Sequence, residues 1–187
     1  MDKKRRVLGD EHQDTLASII NIGRLLQDQG KLSAAEPYLR EAMEKFRRVL
    51  GAAHPYTLIS ICNLGSLRVA QGRYAEALAL LAPAETATRT AFTGNNAYRL
   101  ARLLMHLGTA RGGLGQWSAA VANLLEAQAI LSVTGAALPK DRRDCTRALR
   151  DLYTSWDHAE PHQGYAAQAA EWQRQLNQFG PDGGDHG

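Results

Sequence analysis

The sequence predicts an all-α chain built from antiparallel helix pairs, and three observations predict it. The first is composition: Ala, Leu, Arg, Gln and Glu dominate, while aromatics make up only 6% of the 187 residues, which favours helix over the β-branched and aromatic content of a sandwich. The second is self-similarity at an offset of 42 residues. The third is apolar residues recurring at three- and four-residue steps between glycines.

The 42-residue offset is dense in matches. Val7-Leu8-Gly9 recurs as Val49-Leu50-Gly51, His12 as His54, Thr15-Leu16 as Thr57-Leu58, Asn21 as Asn63 and Gly23 as Gly65. Gln29-Gly30 recurs as Gln71-Gly72, and Ala35, Leu39 and Ala42 as Ala77, Leu81 and Ala84. A third copy follows one residue out of step, with Leu107-Gly108, Gly115, Trp117 for Tyr74, then Ala120, Leu124 and Ala127. A fourth, degraded copy keeps Leu149, Leu152 and Tyr153 in one helix and Ala169-Ala170 and Trp172 in the next. The division that follows is 10–51, 52–93, 94–140 and 141–179, with 180–187 expected to be a flexible tail.

Each copy reads as two helices. In the first, Leu16, Ile19, Ile20, Ile22, Leu25 and Leu26 form one apolar face, and Gly30 supplies the left-handed residue that a helix end requires. Ser33 with Glu36 three residues on fits a capping box for the second helix. That helix turns Ala35, Leu39, Ala42 and Phe46 inward and ends at Gly51, with Pro55 suited to the next helix entry. Gly23, Gly65 and Gly108 follow large apolar residues where a partner helix approaches closely, with Ala35, Ala77 and Ala120 expected on the other side. Arg111-Gly112-Gly113 reads as a loosened helix end.

Residues 1–9 align with 43–51, identical at seven of nine positions. The basic run Lys3-Lys4-Arg5-Arg6 therefore reads as the end of a second helix whose first helix is missing, rather than as a nucleic-acid or targeting patch. On this reading 1–9 is the end of a truncated preceding repeat.

These residues resemble the tetratricopeptide repeat, and the spacing resembles the long-loop kind found in kinesin light chains. The phrase Leu-Gly-x-x-His-Pro-x-Thr-Leu…Asn-Leu-Gly…Gln-Gly-x-Tyr stands almost intact in 50–74. Gln13 for Pro, Leu32 for Tyr, and Arg68 and Arg111 at an inter-helix position depart from it. The C-terminal residues Leu149 to Trp156 and Ala169 to Leu176 resemble the repeat tails of bacterial serine/threonine kinases, with Asp157 to Gln168 inserted between the halves. Trp156 and Trp172 are placed to seal an open end, as a terminal repeat must.

The resemblance implies a right-handed α-solenoid whose first helices line a concave groove. Carried over residue by residue, that groove presents Asn21, Asn63 and His106 two positions before the small glycine, and Arg24, Ser66 and Thr109 one position after it. Ala17, Ile59 and Arg102 lie four residues before the first set, and Arg147 and Arg150 fall near the same surface in the fourth copy. The implied function is a bacterial, cytoplasmic, non-enzymatic scaffold that binds a protein or peptide. An extended peptide with acidic or carboxylate groups toward the C-terminal end suits these arginines, because an Arg fork matches a carboxylate bidentately. The competing readings are that the arginines are solvated or pair with Asp141, Asp144 and Asp151, and that Asn21 and Asn63 join helices. The alternative function is the regulatory C-terminal region of a kinase or other multidomain signalling protein.

No catalytic, cofactor or metal set emerges. His12 and His54 are repeat-loop residues, and Pro161 separates His158 from His162. A formal charge of +3 is far from a nucleic-acid-binding stripe. No apolar run approaches the roughly 18 residues of a membrane span. Cys62 and Cys145 permit one disulfide arithmetically, but a pair of isolated reduced thiols in a cytosolic protein is the reading preferred.

Overall fold

The computed structural model describes residues 9–135 and 139–179. The assignments made for 1–9 and for the 180–187 tail fall on residues outside this set, apart from Gly9. Among the described residues nine α-helices follow in order: α1 Gln13–Asp28, α2 Leu32–Leu50, α3 Pro55–Ala70, α4 Tyr74–Leu81, α5 Glu85–Ala91, α6 Tyr98–Gly113, α7 Trp117–Val133, α8 Pro139–Ala159 and α9 Tyr165–Asn177. The same residues contain no strand. The chain divides into two compact units between Thr93 and Gly94.

In the first unit the predicted pairs form. The histidines His12 and His54 are N-caps: each Nδ1 accepts a hydrogen bond from the backbone N–H two residues on, at 3.2 Å. This satisfies a donor that a helix start leaves orphaned, and it gives the repeat-loop histidines their structural role. Pro55 opens α3 as its first residue. The first helix of a pair ends the same way three times along the chain. Gly30, Gly72 and Gly115 take φ of +73°, +71° and +72°. Each glycine N–H bonds the carbonyl three residues back, and the next residue's N–H bonds the carbonyl five back (Lys31 to Leu26, Arg73 to Arg68, Gln116 to Arg111). That is a Schellman ending, which needs a residue without the left-handed penalty.

The structure corrects three local expectations. Leu25 is 57% exposed while Leu16 and Ile19 are fully buried, so the apolar face of α1 is narrower than its leucine and isoleucine count suggests. Ser33 is no cap: α2 is preceded by Lys31, without a side-chain cap, and Glu36 turns to the following repeat instead. The second helix of the second pair is broken, because α4 passes through a short 3₁₀ turn at Ala82–Ala84 before α5. Pro83 sits in that turn, and proline both lacks a donor and crowds the carbonyl four residues back.

The core of the first unit gathers Leu16, Ile19, Ile20, Leu39, Phe46, Leu64 and Leu67. What approaches Gly23 and Gly65 is not the predicted alanine but the leucine one turn further on. A Cβ on Gly23 would stand 2.6 Å from Leu39 Cδ2, and one on Gly65 would stand 2.4 Å from Leu81 Cδ2. In the second unit Gly108 meets Leu124 in the same way, its Cβ falling 2.7 Å from Leu124 Cγ. Here Gly112 also proves to be a packing residue inside α6 rather than a loosened end, since a Cβ there would lie 2.7 Å from Leu152 Cδ1.

The second unit stacks α6, α7, α8 and α9 in sequence. The insertion expected across 157–168 is mostly helical, because α8 runs to Ala159 and α9 starts at Tyr165. Asp157 Oδ1 accepts from the Ala166 N–H at 3.1 Å and so serves the start of α9. Trp156 packs among Trp117, Tyr153 and Tyr165, lying nearly parallel to Tyr165 with ring centroids 4.0 Å apart.

Gly65→Ala is expected to destabilise the first unit by roughly 1–2 kcal/mol in urea unfolding. Overpacking costs about 1–3 kcal/mol, which the better helix propensity of Ala, about 1 kcal/mol, only partly offsets. Adding Leu81→Ala should make the pair non-additive, with the alanine at position 65 then tolerated.

Candidate functional site

The first-helix surface of the first unit is carried by α1 and α3. Asn21 and Arg24 lie three residues apart on α1 and both are exposed. Asn63 and Ser66 hold the equivalent places on α3 and are half-buried. The two helices are tied across this surface by Gln27, whose Nε2 donates to Ser66 Oγ at 3.0 Å. The structure therefore brings Asn21, Arg24, Asn63 and Ser66 onto neighbouring helices, amide and hydroxyl groups around one exposed guanidinium.

Behind them lies a charged cluster that sequence reasoning missed. Arg68 is buried, with 8% of its side chain exposed, and its Nη1 lies 2.9 Å from Glu36 Oε2. Arg73 Nη1 donates to the same oxygen at 3.0 Å, and Gln71 Nε2 donates to it at 3.2 Å. Arg73 is held in turn by Glu76 through two hydrogen bonds of 2.7 and 2.6 Å. Burial by itself would raise the Glu36 pKa. The hydrogen bonds from Gln71 and Arg68, with the charges of Arg68 and Arg73, overcome this and bring it down to about 2. The available signal was Arg68 itself: an arginine at an inter-helix position requires an acceptor, and here Glu36 supplies it as a carboxylate.

In the second unit the predicted arginines are in contact with carboxylates of their own chain. Arg102 grips Asp141 with both ends of its fork, Nε to Oδ1 at 2.8 Å and Nη2 to Oδ2 at 2.9 Å. Its guanidinium also lies over the Tyr98 ring, 5.3 Å from the centroid. Arg147 pairs with Asp144 at 3.2 Å. Arg150 lies 2.6 Å from Asp151 and donates to Gln173 Oε1 at 2.8 Å. Thr109 turns its hydroxyl inward to the Met105 carbonyl at 2.9 Å. Arg111 donates to Asn123 Oδ1, which satisfies the other arginine that departs from the repeat pattern.

His106 stands beside the Arg102–Asp141 pair on α6. Burial, and then the positive charge of Arg102, push its pKa down to about 4, with Asp141 opposing. The imidazole is neutral at pH 7. Cys145 is buried, with its thiol against the Leu124 carbonyl at 3.5 Å, and burial pushes it up to about 12. Neither Cys62 nor Cys145 is in a disulfide. Among the described residues no three His, Cys, Asp or Glu side chains gather as a metal group, and no helix is long and apolar enough to cross a membrane.

The geometry is that of a repeat protein made of antiparallel helix pairs, with its polar side chains arrayed on helix faces. Residues 14–90 match the family model of the tetratricopeptide repeat, and this part of the chain consists of such repeats. Two solved structures of a Podosopora anserina putative kinesin light chain, described as having nearly identical TPR-like repeats, share the fold. One, a single-substitution variant, aligns with a TM-score of 0.68 at 22% identity over 95% of this chain and 80% of that one. The other gives 0.65 at 22% identity over 93% and 82%. At that identity the likeness speaks to fold alone. No curated protein sequence matches. Repeats of this family generally mediate protein–protein interaction.

The two acid-sensitive groups should titrate stability in separate windows. The Glu36 carboxylate contributes stability above its unfolded value of 4.5, lost as pH falls toward 2. His106 binds its proton more weakly folded than unfolded, so stability is complete above 6.5 and falls as pH drops toward 4. Thermal melts against pH should show both slopes. Glu36→Gln is expected to flatten the lower one and His106→Asn the upper one. Separately, Arg102→Ala should destabilise the chain by roughly 1–3 kcal/mol by stranding Asp141, which is 7% exposed. Arg147→Ala should cost less than about 1 kcal/mol, as for any surface pair.

Proposed function

We propose that this chain is a protein-interaction scaffold that holds an extended partner peptide along the first-helix faces of its repeats. The observation that supports this best is the pairing of Asn21 and Arg24 on α1 with Asn63 and Ser66 on α3: the same positions of successive repeats, polar, exposed on α1 and half-buried on α3. A carboxamide offers a donor and an acceptor together, which suits the alternating N–H and C=O of an extended backbone. Neither catalysis nor a cofactor is required of these groups.

The partner is proposed to be acidic. Arg24 is exposed and offers a guanidinium directly. In the second unit Arg147 and Arg150 hold surface aspartates, with Asp144 and Asp151 35% and 57% exposed. Exposed pairs contribute at most about 1 kcal/mol, so an incoming carboxylate can replace Asp144 at little cost, whereas at Arg150 the buried Nε faces Asp151 and a ligand would meet the outer end of the fork. Arg102 is different. Its partner Asp141 is nearly buried and bound at both oxygens, so Arg102 shapes the surface more than it receives a ligand, with His106 and Thr109 beside it.

The test is a peptide array of acidic and neutral extended sequences, with binders re-measured by calorimetry on variants. Asn63→Ala and Arg24→Ala are each expected to weaken an acidic binder by about five- to ten-fold, one net hydrogen bond or ion pair each, without changing the melting temperature. Added salt should weaken the wild type and leave Arg24→Ala less affected. Binders whose affinity is indifferent to all of Asn21, Arg24, Asn63 and Arg147 would place the partner elsewhere.

A further inference from the structure

The second unit carries a cleft that the first-helix surface does not use. It encloses about 530 Å³ and is lined by Ser118 and Val121 of α7, Tyr153 and Trp156 of α8, Gln163 and Gly164 of the connecting turn, and Tyr165 and Gln168 of α9. That volume is within the range of ligand sites, roughly 300–1,000 Å³. We propose that this cleft binds a proline-rich segment of a partner in the polyproline II conformation.

Three features of the cleft select that occupant. The lining holds no carboxylate, ammonium or guanidinium, so a charged segment would lose hydration there without compensation. Its wall is an aromatic stack: Trp156 lies against Tyr165 at 4.0 Å and is flanked by Tyr153 at 6.3 Å, and Trp117, outside the lining, extends the stack at 6.1 Å from Trp156. Aromatic-lined grooves of this kind receive proline rings. The third feature is a surplus of donors. The indole Nε1 of Trp156 is buried and has no hydrogen-bond partner within the protein, so the donors open to an occupant are those of the rim. The side-chain amides of Gln163 and Gln168 stand exposed at the rim.

A polyproline II segment is the complement of such a wall. It has no internal hydrogen bonds, so its carbonyls are all available as acceptors, and it pays little conformational entropy because it is already extended. A helical partner would arrive with its carbonyls already bonded. The start of α9 is also engaged, since Asp157 accepts from the Ala166 N–H, so the cleft is not an anion site. It is separate from the peptide surface proposed above, and the two succeed or fail independently.

The test uses the full chain and a blocked decaproline peptide. The three tryptophans, Trp117, Trp156 and Trp172, give three indole N–H resonances in a proton–nitrogen correlation spectrum, and Trp156→Phe assigns the one that matters. Titration is expected to move the Trp156 indole resonance, with an affinity unchanged as salt rises from about 0.05 to 0.5 M, because no charge is involved. Trp156→Phe and Gln168→Ala are each expected to weaken binding by about five- to ten-fold. Ser118→Arg, at an exposed rim position and followed for folding by its melt, is expected to abolish it. A Trp156 resonance that decaproline does not move overturns the proposal. So does binding that Ser118→Arg leaves intact, or an acidic peptide of equal length moving the same resonance as strongly.

Discussion

The structure depends on how closely the second helix of each pair can approach the first. At Gly23, Gly65 and Gly108 a leucine of the partner helix occupies the space a side chain would need. Leu39, Leu81 and Leu124 are buried to within 1% because of it. Glycine inside a helix costs about 1 kcal/mol relative to alanine, so its presence at three equivalent positions shows that close packing outweighs propensity there. The approach fixes the distance within each pair and with it which residues of the first helix face outward. Asn21, Arg24, Asn63 and Ser66 keep their common surface because these glycines hold the helices behind them together.

A second constraint acts between successive pairs of the first unit, and it is electrostatic. Arg68 takes an inter-helix position and would be an isolated buried charge without Glu36, Gln71 and Glu76 around it. Such a cluster is weak evidence for net stability, because desolvation offsets much of the attraction. It is strong evidence for register: Glu36 on α2 reaches the end of α3 and the turn that follows in one arrangement of the repeats. The second unit solves the equivalent problem at Arg111 with a neutral partner, Asn123. Repeats of one architecture thus use different polar joints.

The fold was legible in the sequence because its determinants are local and periodic. The glycines at 30, 72 and 115 mark Schellman endings, Pro55 and the two cap histidines mark helix starts, and the three- and four-residue apolar steps mark faces. Where reading failed, a distant side chain decided the outcome. Ser33 and Glu36 fit a capping box by spacing, but Arg68 and Arg73 offered Glu36 charged partners and took it. Gly112 looked like a fraying end until Leu152, from the following helix, was found against it. The small residues were correctly associated with close approach, yet at Gly23 and Gly65 the residue that approaches is a leucine one turn beyond the expected alanine, while at Gly108 the Ala120 carbonyl oxygen approaches beside Leu124.

The candidate surface was half legible. Repeat position by itself nominated Asn21, Arg24, Asn63 and Ser66, because equivalent positions of a repeat face the same way. It left open whether the arginines of the last copies would be engaged: Asp144 and Asp151 lie beside Arg147 and Arg150 along α8 itself, whereas Asp141 meets Arg102 only through the packing of α8 against α6. Nor could it assemble the aromatic cleft, whose Trp156 and Tyr165 come from different helices and whose Ser118 comes from a third. The sequence by itself determined the repeat, the helix ends and the outward-facing positions, all set by backbone propensity and period. Only the tertiary structure decided how each buried charge is neutralised and where the rings gather, because those outcomes depend on side chains that meet across helices.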